Sequence, residues 1–170
     1  LKDVTYGNTL DVLGFATGDL YDSIADSLKD VLNDYHYTFL RKFVGRTGST
    51  YNDSWTAIAQ TSDYCTVENN RVMDKAERNI YAAAVAKVNT VLYVNADGTL
   101  TEDTIAIFKN IVEKPLEDMQ IAGECSGFSV TINPTQDVLG TSTIIISFNL
   151  LPVGVARTIQ INSGFTTQIV

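Results

Sequence analysis

The sequence is poor in the residues that carry chemistry. Among 170 residues it has one histidine, His36, and two cysteines, Cys65 and Cys125. Their neighbourhoods lack the paired ligand spacing of a zinc site, and one cysteine pair does not make a disulfide scaffold. The expected state of both is a reduced thiol in a protein made in the cytoplasm. Basic residues are also scarce, with 12 Lys and Arg against 20 Asp and Glu, a formal net charge of -8 and a pI of about 4.5. Such a chain repels phosphate backbones, and no Lys/Arg run offers a local exception, so no direct nucleic-acid partner is expected. The apolar stretch 144–151 is too short for a membrane span and is interrupted by Ser147 and Asn149, so no membrane insertion is expected. There is no nucleophile elbow. The segment "GRTGST" has the glycines of a phosphate loop but lacks its lysine and full spacing, and it reads as a turn. The chain begins at Leu1 without a signal-peptide pattern, and it reads as a piece of something longer.

What is present is an ordinary core-forming composition, 45% hydrophobic and 19% charged. Residues 1–170 are enough for a single domain with a real core. Leu20, Ile24, Leu28 and Val31 recur at helical spacing, which predicts a first helix over 17–34 capped by Thr17 or Asp19. Tyr37, Phe39, Arg41 and Phe43 alternate and predict a strand, with "SWTAIA" as its return. A second helix is expected from Thr66 to about Val88, burying Val72, Ala76, Ile80 and the alanines at 83 and 84. "TVLYV" reads as a short buried strand. A third helix follows Thr101, with Ile105, Phe108, Val112, Leu116 and Met119 on its apolar face. Pro115 should kink or split it, and Gly123 should end it.

Three alternating segments close the chain: 128–132, 142–151 and 155–165. Val155, Ile159, Ile161 and Phe165 share one face of the last, with Arg157 and Ser163. The fold class is therefore read as α+β. Helices pack on one face of a mostly antiparallel or mixed β-sheet, with a C-terminal strand or arm.

Two charge clusters need a role. Asp63, Glu68, Arg71, Asp74, Lys75, Glu77 and Arg78 crowd one region, and Glu102, Asp103, Glu113, Glu117 and Asp118 another. The first reads as a carboxylate active site or as a charged helix face carrying ion pairs to another element or subunit. No base, nucleophile or cofactor loop accompanies it, which favours the second reading. The acids at 102–118 are a solvated face or a docking surface for a basic partner. His36, between Tyr35 and Tyr37, reads as structural. No catalytic, metal-binding or cofactor-binding residue is expected, and the protein is not expected to be an enzyme. The competing classes are a hydrolase using Asp63 and Asp74 with His36, and a binding module whose last strand pairs within its own sheet.

Several segments then align in order with a known family. "TSDYCTVENNRVMDKAERNIY" resembles the Asp-Tyr pair and Asn-Arg-Val-x-Asp-Lys-Ala helix of contractile-phage tail sheath proteins. "SVTINPTQDVLGTSTIIISFNLLPVGVARTIQINSGFT" is similar to the sheath C-terminus, with its Pro-x-Gln-x-Val-Leu turn, its Pro-x-Gly-x-Ala-Arg-x-Ile segment and its Gly-Phe ending. "FVGRTGSTYNDSWTAIAQTSDY" resembles the family's Gly-x-Thr-Gly loop. The resemblance covers roughly residues 37–167 and departs at Asn70, where some relatives carry arginine, and at Ser163, where an apolar residue is common. It implies the C-terminal, tube-facing domain of a sheath subunit whose N-terminal domains lie outside this chain. It implies stacked hexameric rings around an inner tail tube, in a phage tail or a phage-like injection-system particle assembled in the bacterial cytoplasm. It further implies terminal arms that exchange strands between subunits, here carried by Val155, Arg157, Ile159, Ile161, Gly164 and Phe165. Asp63, Arg71, Asp74 and Lys75 then form a structural or interface charge motif.

Overall fold

A computed structural model of the protein describes residues 9–12, 14–43, 45, 47–154, 159–161 and 163–165. In chain order the named elements are helix α1 (Asp26–Asp34), strands β1 (Leu40–Arg41) and β2 (Thr50–Tyr51), helices α2 (Val67–Ala84) and α3 (Glu102–Ile121), strand β3 (Cys125–Ile132), the single turn α4 (Val138–Thr141) and strand β4 (Ile146–Pro152). The α+β class is what the structure shows. Among the described residues, however, the strands form two separate antiparallel pairs, β1 with β2 and β3 with β4, rather than one sheet.

The core is built by α2, α3 and the β3–β4 ribbon. Thr66 caps α2 by accepting from the Asn69 amide, and Thr101 caps α3 by accepting from the Thr104 amide. At the other end of α3, Gly123 adopts φ 70°. Its N–H donates to Gln120 O at 2.9 Å, and the next N–H, of Glu124, donates to Met119 O at 3.0 Å. This paired closure needs a left-handed residue, which glycine supplies without strain. Ala76, Val112, Leu116, Met119 and Cys125 are buried together, and Phe128, Val130, Ile146, Phe148 and Leu150 cover them from the ribbon. A second cluster joins Leu100 and Phe108 to Ile132 and Val138. The apolar stripes anticipated for α2 and α3 are the faces that meet the ribbon.

Other expectations change. The helix expected over 17–34 is a 3-10 turn at Tyr21–Ser23 followed by α1. Gly18 is left-handed at φ 93°, and the Thr17 hydroxyl donates to the Asp19 carboxylate at 2.8 Å instead of capping a helix. Side chains that bond locally compete with helix in this way. The first strand is cut to Leu40–Arg41, and its return is Thr50–Tyr51 rather than 54–59. "TVLYV" is not a strand. Val91 and Tyr93 are exposed, and the Tyr93 carbonyl accepts from the Thr101 N–H at 3.1 Å and the Thr104 hydroxyl at 3.2 Å. The strand pairing of this segment shrinks to one isolated antiparallel bridge, Val94 with Leu100, just before α3. Pro115 neither splits nor interrupts α3, which runs unbroken over 20 residues. Of the expected last strand, Val155 and Arg157 lie outside the described residues, and residues 159–161 and 163–165 are not in a strand.

Candidate assembly interface

The β3–β4 ribbon presents one apolar face, one polar face and two edges. Ile146, Phe148 and Leu150 turn toward the helices, while Ser147, Asn149 and Leu151 are exposed. Opposite them Ser129 pairs with Asn149 and Thr131 with Ser147, so the outer face is hydroxyl- and amide-rich without charge.

The register defines which backbone groups face outward. Pro152 has no N–H, so the ladder beside it can close only through Leu151, which pairs with Gly127. Backbone direction alternates along a strand, so Leu151, Asn149 and Ser147 point their N–H and C=O at β3. The N–H and C=O of Ile146, Phe148 and Leu150 point the other way. No other strand pairs this edge among the described residues.

Both ends of the ribbon are tied by side chains. At one end the register shifts between Cys125 and Gly127, and the Ser126 hydroxyl donates to Pro152 O at 3.0 Å. At the other, Gln136 grips Ile145. Its Oε1 accepts from the Ile145 N–H at 2.6 Å, and its Nε2 donates to Ile145 O at 3.3 Å and to Asn133 O at 2.9 Å. The amide takes the place of one further backbone pair. The sequence flagged this glutamine only as part of a turn motif.

The residues expected to form the arm are partly visible. Ile159, Ile161 and Phe165 are exposed, the Phe165 ring completely, and nothing lies within 4 Å of a Cβ built on Gly164. These three side chains are thus uncovered by the described part of their own chain.

The residues of the charge motif form no ion pair with one another among the described residues. Asp63 contributes its backbone carbonyl, which accepts from Asn69 Nδ2 at 2.8 Å, and its side chain is exposed. Arg71 and Asp74 are exposed and make no ion pair among the described residues. Lys75 pairs with Glu124 at 2.5 Å and joins α2 to the turn before β3. Next to it, burial and the Glu124 charge raise the pKa of the Cys125 thiol. His36 sits in the left-handed region at φ 62°, just past α1, with its ring stacked on Trp55 at 5.5 Å. Among the described residues no hydrogen bond or ion pair joins Asp63, Asp74 and His36. Among the described residues no group of His, Cys, Asp and Glu could hold a metal, and no helix is long and apolar enough to cross a membrane. A groove of about 340 Å³ lies between α2 and α3, floored by Ala82, Ala83 and Pro115.

The fold has solved counterparts. A chain in the cryo-EM structure of the anti-feeding prophage baseplate, six-fold symmetrised, superposes with a TM-score of 0.64 at 20% identity over 86% of this chain. A chain of the PVC sheath complex, an extracellular contractile injection system in its contracted state, gives 0.63 at 19% identity over 86%. At these identities the likeness is one of fold. This chain spans only 40% and 41% of those two chains. No curated protein matches the sequence. The family model for the C-terminal domain of DUF2586 matches residues 63–169, which begin at the turn before α2. The protein belongs to the DUF2586 C-terminal domain family.

Proposed function

We propose that the protein is a structural subunit of a contractile assembly, most closely a sheath. It polymerises around an inner tube and contracts to drive the tube through a target envelope. The observation that carries the reading is that, among the described residues, no strand pairs the outer edge of β4, in a chain that also exposes Ile159, Ile161 and Phe165. An open edge is a hazard in a lone molecule and a joint in a polymer. In this reading residues 1–170 are the tube-facing domain, and the arm of one subunit, with Val155 and Arg157, adds to the β4 edge of the next. Rings are hexameric and stacked, and the protein resides in the assembled particle. Arg71 and Asp74 are free for contacts between subunits, while Lys75 is committed within the chain. The work is mechanical and uses no catalytic residue or cofactor.

A phage-like injection system is favoured over a phage tail because both solved counterparts named above come from such particles, one a baseplate and one a sheath.

The test is deletion of residues 155–170 from the complete protein, followed by negative-stain electron microscopy. The truncated protein should stay folded by circular dichroism and form no tubes or stacked rings. Normal polymerisation of the truncation would refute the reading.

A further inference from the structure

We propose that Gln136 sets the register of β4 and so determines which backbone groups the open edge offers to an incoming strand. The proposal rests on the arm-exchange reading above and names the residue that prepares the acceptor.

In a tight hairpin the turn fixes the register. Here residues 133–145 join the strands, and a connection of that length leaves the register to other devices. Hydrophobic alternation forbids a slip of one residue, because every core side chain would be turned outward. It does not forbid a slip of two. Ile144, Ile146, Phe148 and Leu150 form one unbroken alternating series, so a slip of two keeps apolar side chains on the helices. The open edge would then offer a displaced set of donors and acceptors, and the bulge at Cys125–Gly127 would lose Pro152 as its partner.

Gln136 closes this gap. It is anchored at the end of β3 by its bond to Asn133 O and is followed directly by the capped turn α4, whose N-cap Asp137 accepts from the Gly140 N–H at 2.8 Å. Val138 buries that turn in the second core cluster. The pinned turn fixes how many residues separate Gln136 from the returning strand, and at that spacing the Gln136 amide meets the backbone N–H and C=O of Ile145 opposite Asn133. A side-chain amide presents both the acceptor and the donors needed here; an ionised carboxylate presents acceptors only. Gln136 touches no part of the incoming strand and is a positioning residue.

The experiment uses the complete protein carrying Gln136→Ala or Gln136→Glu, with assembly followed by sedimentation and electron microscopy at pH 4.5 and pH 7.5. In Gln136→Glu the second oxygen faces the Asn133 and Ile145 carbonyls. At neutral pH the carboxylate is repelled by them, and at acid pH its proton restores a donor. The threshold concentration for assembly should rise about ten-fold for Gln136→Ala at both pH values. For Gln136→Glu it should rise similarly at pH 7.5 and return toward wild type at pH 4.5, with wild type measured at both as the reference. A purely structural role would move melting temperature and assembly together, whereas the register role moves assembly in folded protein. If Gln136→Ala fails to fold, the pH pair of Gln136→Glu decides. Wild-type thresholds for both variants would overturn the inference while leaving the arm reading intact. Normal assembly of the 155–170 deletion would instead overturn the arm reading.

Discussion

Replacing Pro115 by alanine should stabilise the protein. Pro115 sits inside α3, where it removes the N–H that Ile111 O would receive, and its ring lines the groove that Ala82 and Ala83 of α2 also line. Relative to alanine, proline in a helix interior is about 3 kcal/mol less favourable. Two effects oppose that gain. The unfolded chain loses the stiffness of proline, about 0.7 kcal/mol. Two half-buried methylenes leave the groove, about 0.8 kcal/mol together. The balance is about 1.5 kcal/mol in favour of alanine, a rise in Tm of roughly 3–6 °C for a chain of this size. Urea titration and calorimetry of Pro115→Ala measure it directly. A fall in stability beyond 0.5 kcal/mol, about the experimental error, would refute the balance and show that the ring's packing against α2 outweighs the missing hydrogen bond.

Three further outcomes test the core and its closures. Leu116 is fully buried in the main cluster, so Leu116→Ala should lower stability by about 3 kcal/mol in the same urea titration. Gly123→Ala meets no atom within 4 Å, so its cost is the left-handed backbone alone, about 1 kcal/mol, and a loss above about 3 kcal/mol would contradict the open surroundings. The raised pKa of Cys125 makes a sign-definite pH prediction. A folded-state pKa above the unfolded one gives stability that is complete below the ordinary thiol range of about 8.5 and is lost as pH rises through the folded value. Wild type should therefore lose more stability than Cys125→Ser on going from pH 8 to pH 10, and equal losses would count against it.

Much of the fold was legible because local signals and tertiary packing agreed. Thr66 and Thr101 are followed by apolar residues at helical spacing, and both cap helices whose striped faces are the buried ones. Gly123 ends α3 for the backbone reason its position suggested. Legibility failed where one local signal competed with another. The spacing of Leu20 and Ile24 suggested a helical stripe, yet Leu20 is exposed, both residues have extended backbone, and Gly18 and the Thr17–Asp19 bond precede them outside any helix. "TVLYV" has strand composition, but a strand exists only by pairing, and its pairing stops at the single antiparallel bridge of Val94 with Leu100, after which the chain enters α3. Pro115 showed the reverse: α3 continues unsplit through a residue whose local chemistry disfavours helix. The candidate interface was half legible. The apolar stripe of Ile159, Ile161 and Phe165 shows in the sequence because alternation is a property of neighbours in the chain. The open β4 edge does not, because an edge is defined by which strand is missing beside it.

By itself, then, the sequence determined the periodic faces, the caps and stops of α2 and α3, the scarcity of catalytic groups, and the order of motifs that resembles a sheath C-terminus. These follow from spacing and residue type, which act over one or two turns. Only the tertiary structure decided that Ile146, Phe148 and Leu150 turn their backbone groups outward, that Lys75 is spent on Glu124, and that Gln136 reaches Ile145. Each of those depends on register and on closure between segments far apart in the chain, which no local pattern encodes.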